Sequence, residues 1–126
     1  MEPKRYYKGE YKEDSKEHGG WIVGRFLDDV RKTETMEVKY WEFKKGEEGK
    51  HLMKFQLHAT ECNFIIEGKV RGVIDGNPIT LEAGDYVLVK PGAVSNFIEE
   101  VIIEPVRGIT IKAPSLEGDT IKSSTE

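Results

Sequence analysis

Residues 54–68 read Lys54-Phe55-Gln56-Leu57-His58-Ala59-Thr60-Glu61-Cys62-Asn63-Phe64-Ile65-Ile66-Glu67-Gly68. A second block follows after fifteen residues, with Gly84-Asp85, Pro91-Gly92 and Ser95 at its landmarks. From Met53 to His58 the odd positions are apolar and the even ones polar, the period-two pattern of a strand with two chemically distinct faces. Periodicity alone sends Met53, Phe55 and Leu57 to the core and leaves Lys54, Gln56 and His58 in water. Gly68, Gly76, Gly84 and Gly92 read as turn residues that allow positive φ. Asp85 is placed to cap its turn through the side chain.

Outward from this stretch the chain is a succession of short β-like runs divided by turn residues. Trp21–Val23, Met36–Phe43, His51–His58, Cys62–Ile66, Lys69–Ile74, Ile79–Leu81, Tyr86–Val89, Phe97–Ile103 and Val106–Lys112 form the set. Asp75-Gly76-Asn77-Pro78 is a strong hairpin signal. Such spacing with Gly and Pro punctuation predicts an antiparallel sandwich or barrel. Only Phe26–Lys32 reads as a candidate helical turn. Residues 1–20 are polar apart from Tyr6, Tyr7 and Tyr11, and read either as an arm docking its tyrosines or as a loose tail. The expected division is an arm over 1–20, a barrel over 21–115 and a polar tail over 116–126.

At 126 residues one domain is expected. A charged fraction of 33%, a net charge of -4 and a pI near 5.5 describe an interleaved, solvated surface and give no reason to expect nucleic-acid binding. There is no apolar run long enough for a membrane span, so no membrane association is expected. Met1-Glu2-Pro3-Lys4-Arg5 lacks the apolar core of a signal peptide, which favours a cytoplasmic location. A single cysteine, Cys62, fits a reducing compartment and reads as a small buried hydrophobe.

The two blocks resemble the motifs of the cupin superfamily, in particular small single-domain prokaryotic cupins. Glu61-x6-Gly68 keeps the second half of the family's first motif. In the second motif Gly84-Asp85 and Gly92 match, Lys90 takes the proline slot beside Pro91, Ser95 the histidine slot and Glu99 the asparagine slot. Ala59-Thr60-Glu61, Asn63 and Lys112-Ala113-Pro114-Ser115 extend the likeness, which spans roughly residues 36–115. It implies an all-β fold, a double-stranded β-helix or jelly-roll barrel, with Lys54 and Gln56 facing inward. That reverses the facing suggested by periodicity. Met53, Phe55 and Leu57 would then need cover, and a homodimer is expected.

At the family's four metal-ligand positions this chain offers Lys54, Gln56, Glu61 and Ser95. One carboxylate is a good ligand, glutamine a poor one, and an ammonium repels a cation. No tight metal and no other cofactor is therefore expected; a divalent ion would have to recruit His58 or His51. The candidate ligand-binding set is Lys54, Gln56, His58, Glu61, Asn63 and Ser95, a hydrogen-bonding cage with an anion-recognising ammonium. Phe55, Phe64, Tyr86, Phe97, Tyr40 and Trp41 are available as aromatic walls, depending on facing. The leading expectation is a barrel that binds a small polar or anionic metabolite, sugar-like or acidic. Alternatives are a metal-free enzyme akin to sugar-nucleotide epimerases or isomerases, a metal-dependent cupin on His58 and Glu61, and a partner-binding module. Whether the protein is an enzyme stays open at this level.

Overall fold

A computed structural model describes residues 5–48 and 53–123. Its strands are β1 (Trp21–Val23), β2 (Glu37–Phe43), β3 (Lys54–Gln56), β4 (Thr60–Ile74), β5 (Asn77–Glu82), β6 (Tyr86–Val89), β7 (Ser95–Ala113) and β8 (Thr120–Lys122). All pairings are antiparallel, and the chain adopts the all-β, curled-sheet architecture that the strand pattern predicts. His51 lies outside the described residues.

The two longest strands decide the shape. β4 and β7 pair along nearly their whole length, and both bend at one corner where the register slips between Ile65 and Val70. Gly68 sits there at φ 88°, and a Cβ on it would run into Ile103 O, Pro105 O and Val106 Cα. Pro105 has no ladder partner at this corner, which is where a strand tolerates the missing N–H. The sequence pattern divides each of these strands in two; Gly68 and Pro105 bend them without ending them. Beyond the corner, β7 continues beside β2 on one edge and β4 on the other. The core of Trp41, Ile65, Val70, Phe97, Val101 and Val106 fills the fold between the two arms.

Several local expectations meet the structure directly. Asp75 and Gly76 both take positive φ in the two-residue β4–β5 turn, between the paired Ile74 and Asn77. The Asp85 carboxylate accepts the Glu82 N–H at 2.8 Å. Phe26–Lys32, by contrast, forms turns and no helix. The Asp29 side chain there accepts the Arg31 N–H at 2.9 Å, an Asx turn that competes with helix formation. Helix occurs instead in the arm, as α1 (Tyr11–Asp14) followed by a 3₁₀ turn at Ser15–Glu17. Tyr11 packs on Tyr40 of β2 with ring centroids 4.9 Å apart, and Arg31 lies 3.8 Å from Asp14. The arm is therefore docked on the outer face of β2. The polar tail supplies a strand, β8, that pairs with β3 along Lys54–Gln56.

Candidate functional site

The inner face of β2, β7 and β4 is built in cross-strand rows. Glu37, Lys112 and Glu61 stand side by side, then Lys39, Thr110 and Asn63, then Trp41, Gly108 and Ile65. Gly108 is required in the third row. A Cβ there would collide with the Trp41 indole and the Phe64 carbonyl, so only glycine lets the ring lie across β7. The indole N–H then donates to Thr110 Oγ1 at 2.9 Å, Thr110 donates to Asn63 Oδ1 at 2.6 Å, and the Asn63 amide donates to Glu61 Oε2 at 2.9 Å. This chain of bonds holds Glu61 with one oxygen engaged from below. Its other oxygen lies 4.0 Å from Lys112 Nζ, which is also 3.9 Å from Glu37. Glu37 is in turn held by Arg25 at 2.9 Å and by the Ser115 hydroxyl at 2.9 Å.

Above these rows lies a cavity of about 80 Å³. Its polar lining is Lys39, Lys54, Lys112, Glu61, Ser95, Asn96 and Thr110; Trp21, Trp41, Phe43, Phe97 and Ile98 wall it. Lys54 enters from β3, where it pairs with Ser95 at the start of β7. Burial pushes the Lys54 ammonium below the ordinary lysine range; Glu61 opposes that, and Lys112, Lys39 and Lys122 reinforce it. Lys39 is pushed down as well, by burial first and then by Lys112. The Lys39 and Lys112 ammoniums sit 5.3 and 5.7 Å from the Trp21 ring centroid, a cation–π arrangement that β1 closes over the cavity.

The sequence-predicted residues divide into three groups. Lys54, Glu61 and Ser95 line the cavity. Gln56 and Asn63 are buried beside it as support: Gln56 accepts the Thr120 hydroxyl at 2.7 Å, and its carbonyl takes the Gly92 N–H at 2.8 Å. The inward facing of Lys54 and Gln56, implied by the resemblance and opposed by periodicity, is the one adopted; Leu57 is exposed. His58 is a correction. Its side chain is 73% exposed and its Nδ1 lies 3.0 Å from Asp119, on the outside of the β3–β4 turn. The strand has ended at Gln56, so parity no longer carries His58 inward.

Of the offered aromatic walls, Trp41 and Phe97 serve. Phe64 and Tyr86 stack on each other, exposed on the outer face, and Tyr40 packs under Tyr11. Cys62 is half-buried on that outer face, and burial, then Glu61, raise its thiol above the ordinary value.

The residues missed from sequence are Lys39, Lys112, Glu37 and Trp21. Lys112 belongs to the late Lys-x-Pro-Ser block, which in the sequence signals only a family likeness; in the structure Lys112 faces the cavity and Ser115 anchors Glu37. The donor set does not fit a transition metal. Among the described residues Glu61 is the only carboxylate on the lining, with ammoniums from three directions, and no group of three His, Cys, Asp or Glu converges.

A family model described as an EutQ-like cupin domain matches residues 31–109. No curated protein matches the chain. Among solved structures it is similar to a cupin protein from Bacteroides fragilis at 26% identity and TM-score 0.57, covering 73% of this chain and 78% of that one. The Streptomyces protein PAC13 bound to uridine matches at 14% identity and TM-score 0.60, with 72% and 69% covered; Pac13 is described as a nucleoside dehydratase. The Clostridium difficile EutQ protein matches at 18% identity and TM-score 0.51, with 71% and 59% covered.

Proposed function

The chain belongs to the EutQ-like cupin domain family, and from that premise we propose that its barrel binds a small acidic metabolite without a metal. The observation that carries this reading is the convergence of Lys39, Lys54 and Lys112 on one aromatic-walled cavity that a single carboxylate, Glu61, shares. Buried ammoniums without matching acids are costly, and an anionic ligand offsets that cost. The cavity is smaller than the few hundred Å³ of a drug-sized site, so it takes a small acid or the acidic end of a larger molecule. The polar groups of Ser95, Asn96 and Thr110 on the lining suit a hydroxylated, sugar-like body as well as a plain acid.

A second reading, a metal-free isomerase-type enzyme, draws on Glu61 alone. It is the one carboxylate on the lining among the described residues, and the Asn63 bond aims it. His58 is not available as its acid–base partner. Two accompanying readings complete the proposal. The protein works as a homodimer through the exposed outer face of β4 and β6, and in the cytoplasm, on the argument of its unpaired Cys62.

The test is calorimetric titration of the purified chain with small carboxylates, sugar acids and phosphate esters, on wild type and Lys54→Ala. Saturable binding that weakens at least about tenfold in the variant supports the reading. Unchanged affinity in Lys54→Ala for every acid that binds rejects it. Turnover of a nucleotide-sugar panel, lost in Glu61→Gln, would move the assignment to the enzyme.

A further inference from the structure

The side chains fix more than the sign of the ligand's charge. The charged groups on the cavity lining are Lys39, Lys54, Lys112 and Glu61, and ion pairs join Glu37 to Lys112 and Arg25 to Glu37. Arg25 is committed to Glu37 at 2.9 Å. Lys112 stands between Glu37 and Glu61 at 3.9 and 4.0 Å. Lys39 faces the Trp21 ring at 5.3 Å and makes no ion pair among the described residues. Lys54 feels the Glu61 charge and likewise makes no ion pair. Four cations against two carboxylates leave two positive charges, and Lys39 and Lys54 carry them into one small space.

We infer that the cavity is charge-matched to a small dianion, a dicarboxylate or a phosphoryl monoester, whose two charges fall to Lys39 and Lys54 while Lys112 remains with Glu37 and Glu61. The inference rests on the acid-binding reading above and narrows it to one ligand class. A monoanion would leave one buried ammonium uncompensated beside another; a dianion leaves none. The volume of about 80 Å³ limits the ligand to two acidic groups close together, or to one phosphoryl group with a short body against Trp41 and Phe97.

A consequence follows for protons. Lys54 is faced by Glu61 from β4, Lys112 from β7, Lys39 from β2 and Lys122 from β8, and Lys39 is faced by Lys112, by Lys54 and by the uncharged Trp21. Burial and mutual repulsion hold both lysines low in the free protein, and a bound dianion reverses the balance. Binding is therefore accompanied by proton uptake on the alkaline side, and affinity falls as pH rises through the lowered lysine range.

The experiment is calorimetry of the full chain with acetate, malonate and methyl phosphate, at neutral pH and at about pH 9, each in buffers of low and high ionisation heat. Malonate or methyl phosphate is expected to bind at least about tenfold more tightly than acetate. The heats are expected to show net proton uptake at the higher pH. Tighter binding by malonate assigns a dicarboxylate, and tighter binding by methyl phosphate a phosphoryl group. Lys39→Gln is expected to bring the dianion preference close to unity while acetate still binds; Lys16→Gln, in the exposed arm, leaves the preference intact. Acetate binding as tightly as both dianions to the wild type overturns the inference and leaves the acid-binding reading standing. Failure of all three probes to bind overturns that reading itself. The wild-type comparison decides whether or not Lys39→Gln folds.

Discussion

At the scale of single residues, Asp119 and Lys54 make opposite contributions. The Asp119 carboxylate is buried, and it accepts the His58 N–H, the Ala59 N–H and the His58 ring at 2.9–3.0 Å. Burial alone would raise its pKa; the bonds from Ala59 and His58 outweigh that and hold it below the ordinary carboxylate range. A depressed acid contributes stability that is present above its unfolded pKa and is lost as pH falls through the folded value. Asp119→Ala leaves two backbone donors unpaired, and should cost about 1–3 kcal/mol in denaturant unfolding at neutral pH. The gap to wild type should narrow in strong acid. Lys54 is a buried cation whose desolvation works against the fold. Its lowered pKa is a penalty on folding that is fully present below the folded value and is relieved as pH rises toward the unfolded one, where the unfolded chain holds the proton longer. Lys54→Met is therefore expected to raise the melting temperature while abolishing acid binding; a lower melting temperature would contradict this account of the site.

Among the elements, the β2–β7–β4 floor is the part on which everything else is placed. Gly108→Ala puts a methyl group into the Trp41 ring and the Phe64 carbonyl. It should destabilise by about 1–3 kcal/mol and disturb the Trp41–Thr110–Asn63–Glu61 bonds, seen as a shift in tryptophan fluorescence. Much of this floor was legible beforehand. The bounds of β6 and the β4–β5 turn at Asp75-Gly76 follow from strand pattern and turn chemistry, while the inward set of Lys54, Glu61 and Ser95 is what the cupin resemblance implies, against the periodicity of the strand. The lysine cluster did not, for a physical reason. In β2 the odd positions are Glu37, Lys39, Trp41 and Phe43, and the even ones Val38, Tyr40 and Glu42, so both faces mix charge with apolar surface. One face meets a polar cavity and the other meets the arm through Tyr40, and no hydrophobic period separates them. β8 was hidden differently. Thr120–Lys122 is too short to signal a strand, and its place is set by Asp119 reaching across the fold to residues 58 and 59.

For the whole molecule, the outer face of β4 and β6 carries Phe64, Ile66, Tyr86 and Leu88 in the open, with Phe64 and Tyr86 stacked. The arm covers Tyr40 and leaves this patch bare. Sedimentation of the wild type is expected to give a dimer and that of Leu88→Glu a monomer; a monomeric wild type at micromolar concentration would remove the dimer from the proposal. The pairings themselves govern how quickly such a molecule is made. β4 and β5 meet through a two-residue turn, but β2 must find β7, and β3 must find β8, across most of the chain. Loop-closure entropy is spent before those distant contacts return anything, so refolding should be slow for the length, with the β4–β5 hairpin formed early. Changes at Asp75 or Gly76 should then slow refolding, while Asp119→Ala should chiefly hasten unfolding, a division that stopped-flow measurements would resolve. The cavity is thus expected to close last as the chain folds, and an acid that fits it would act as a brake on unravelling.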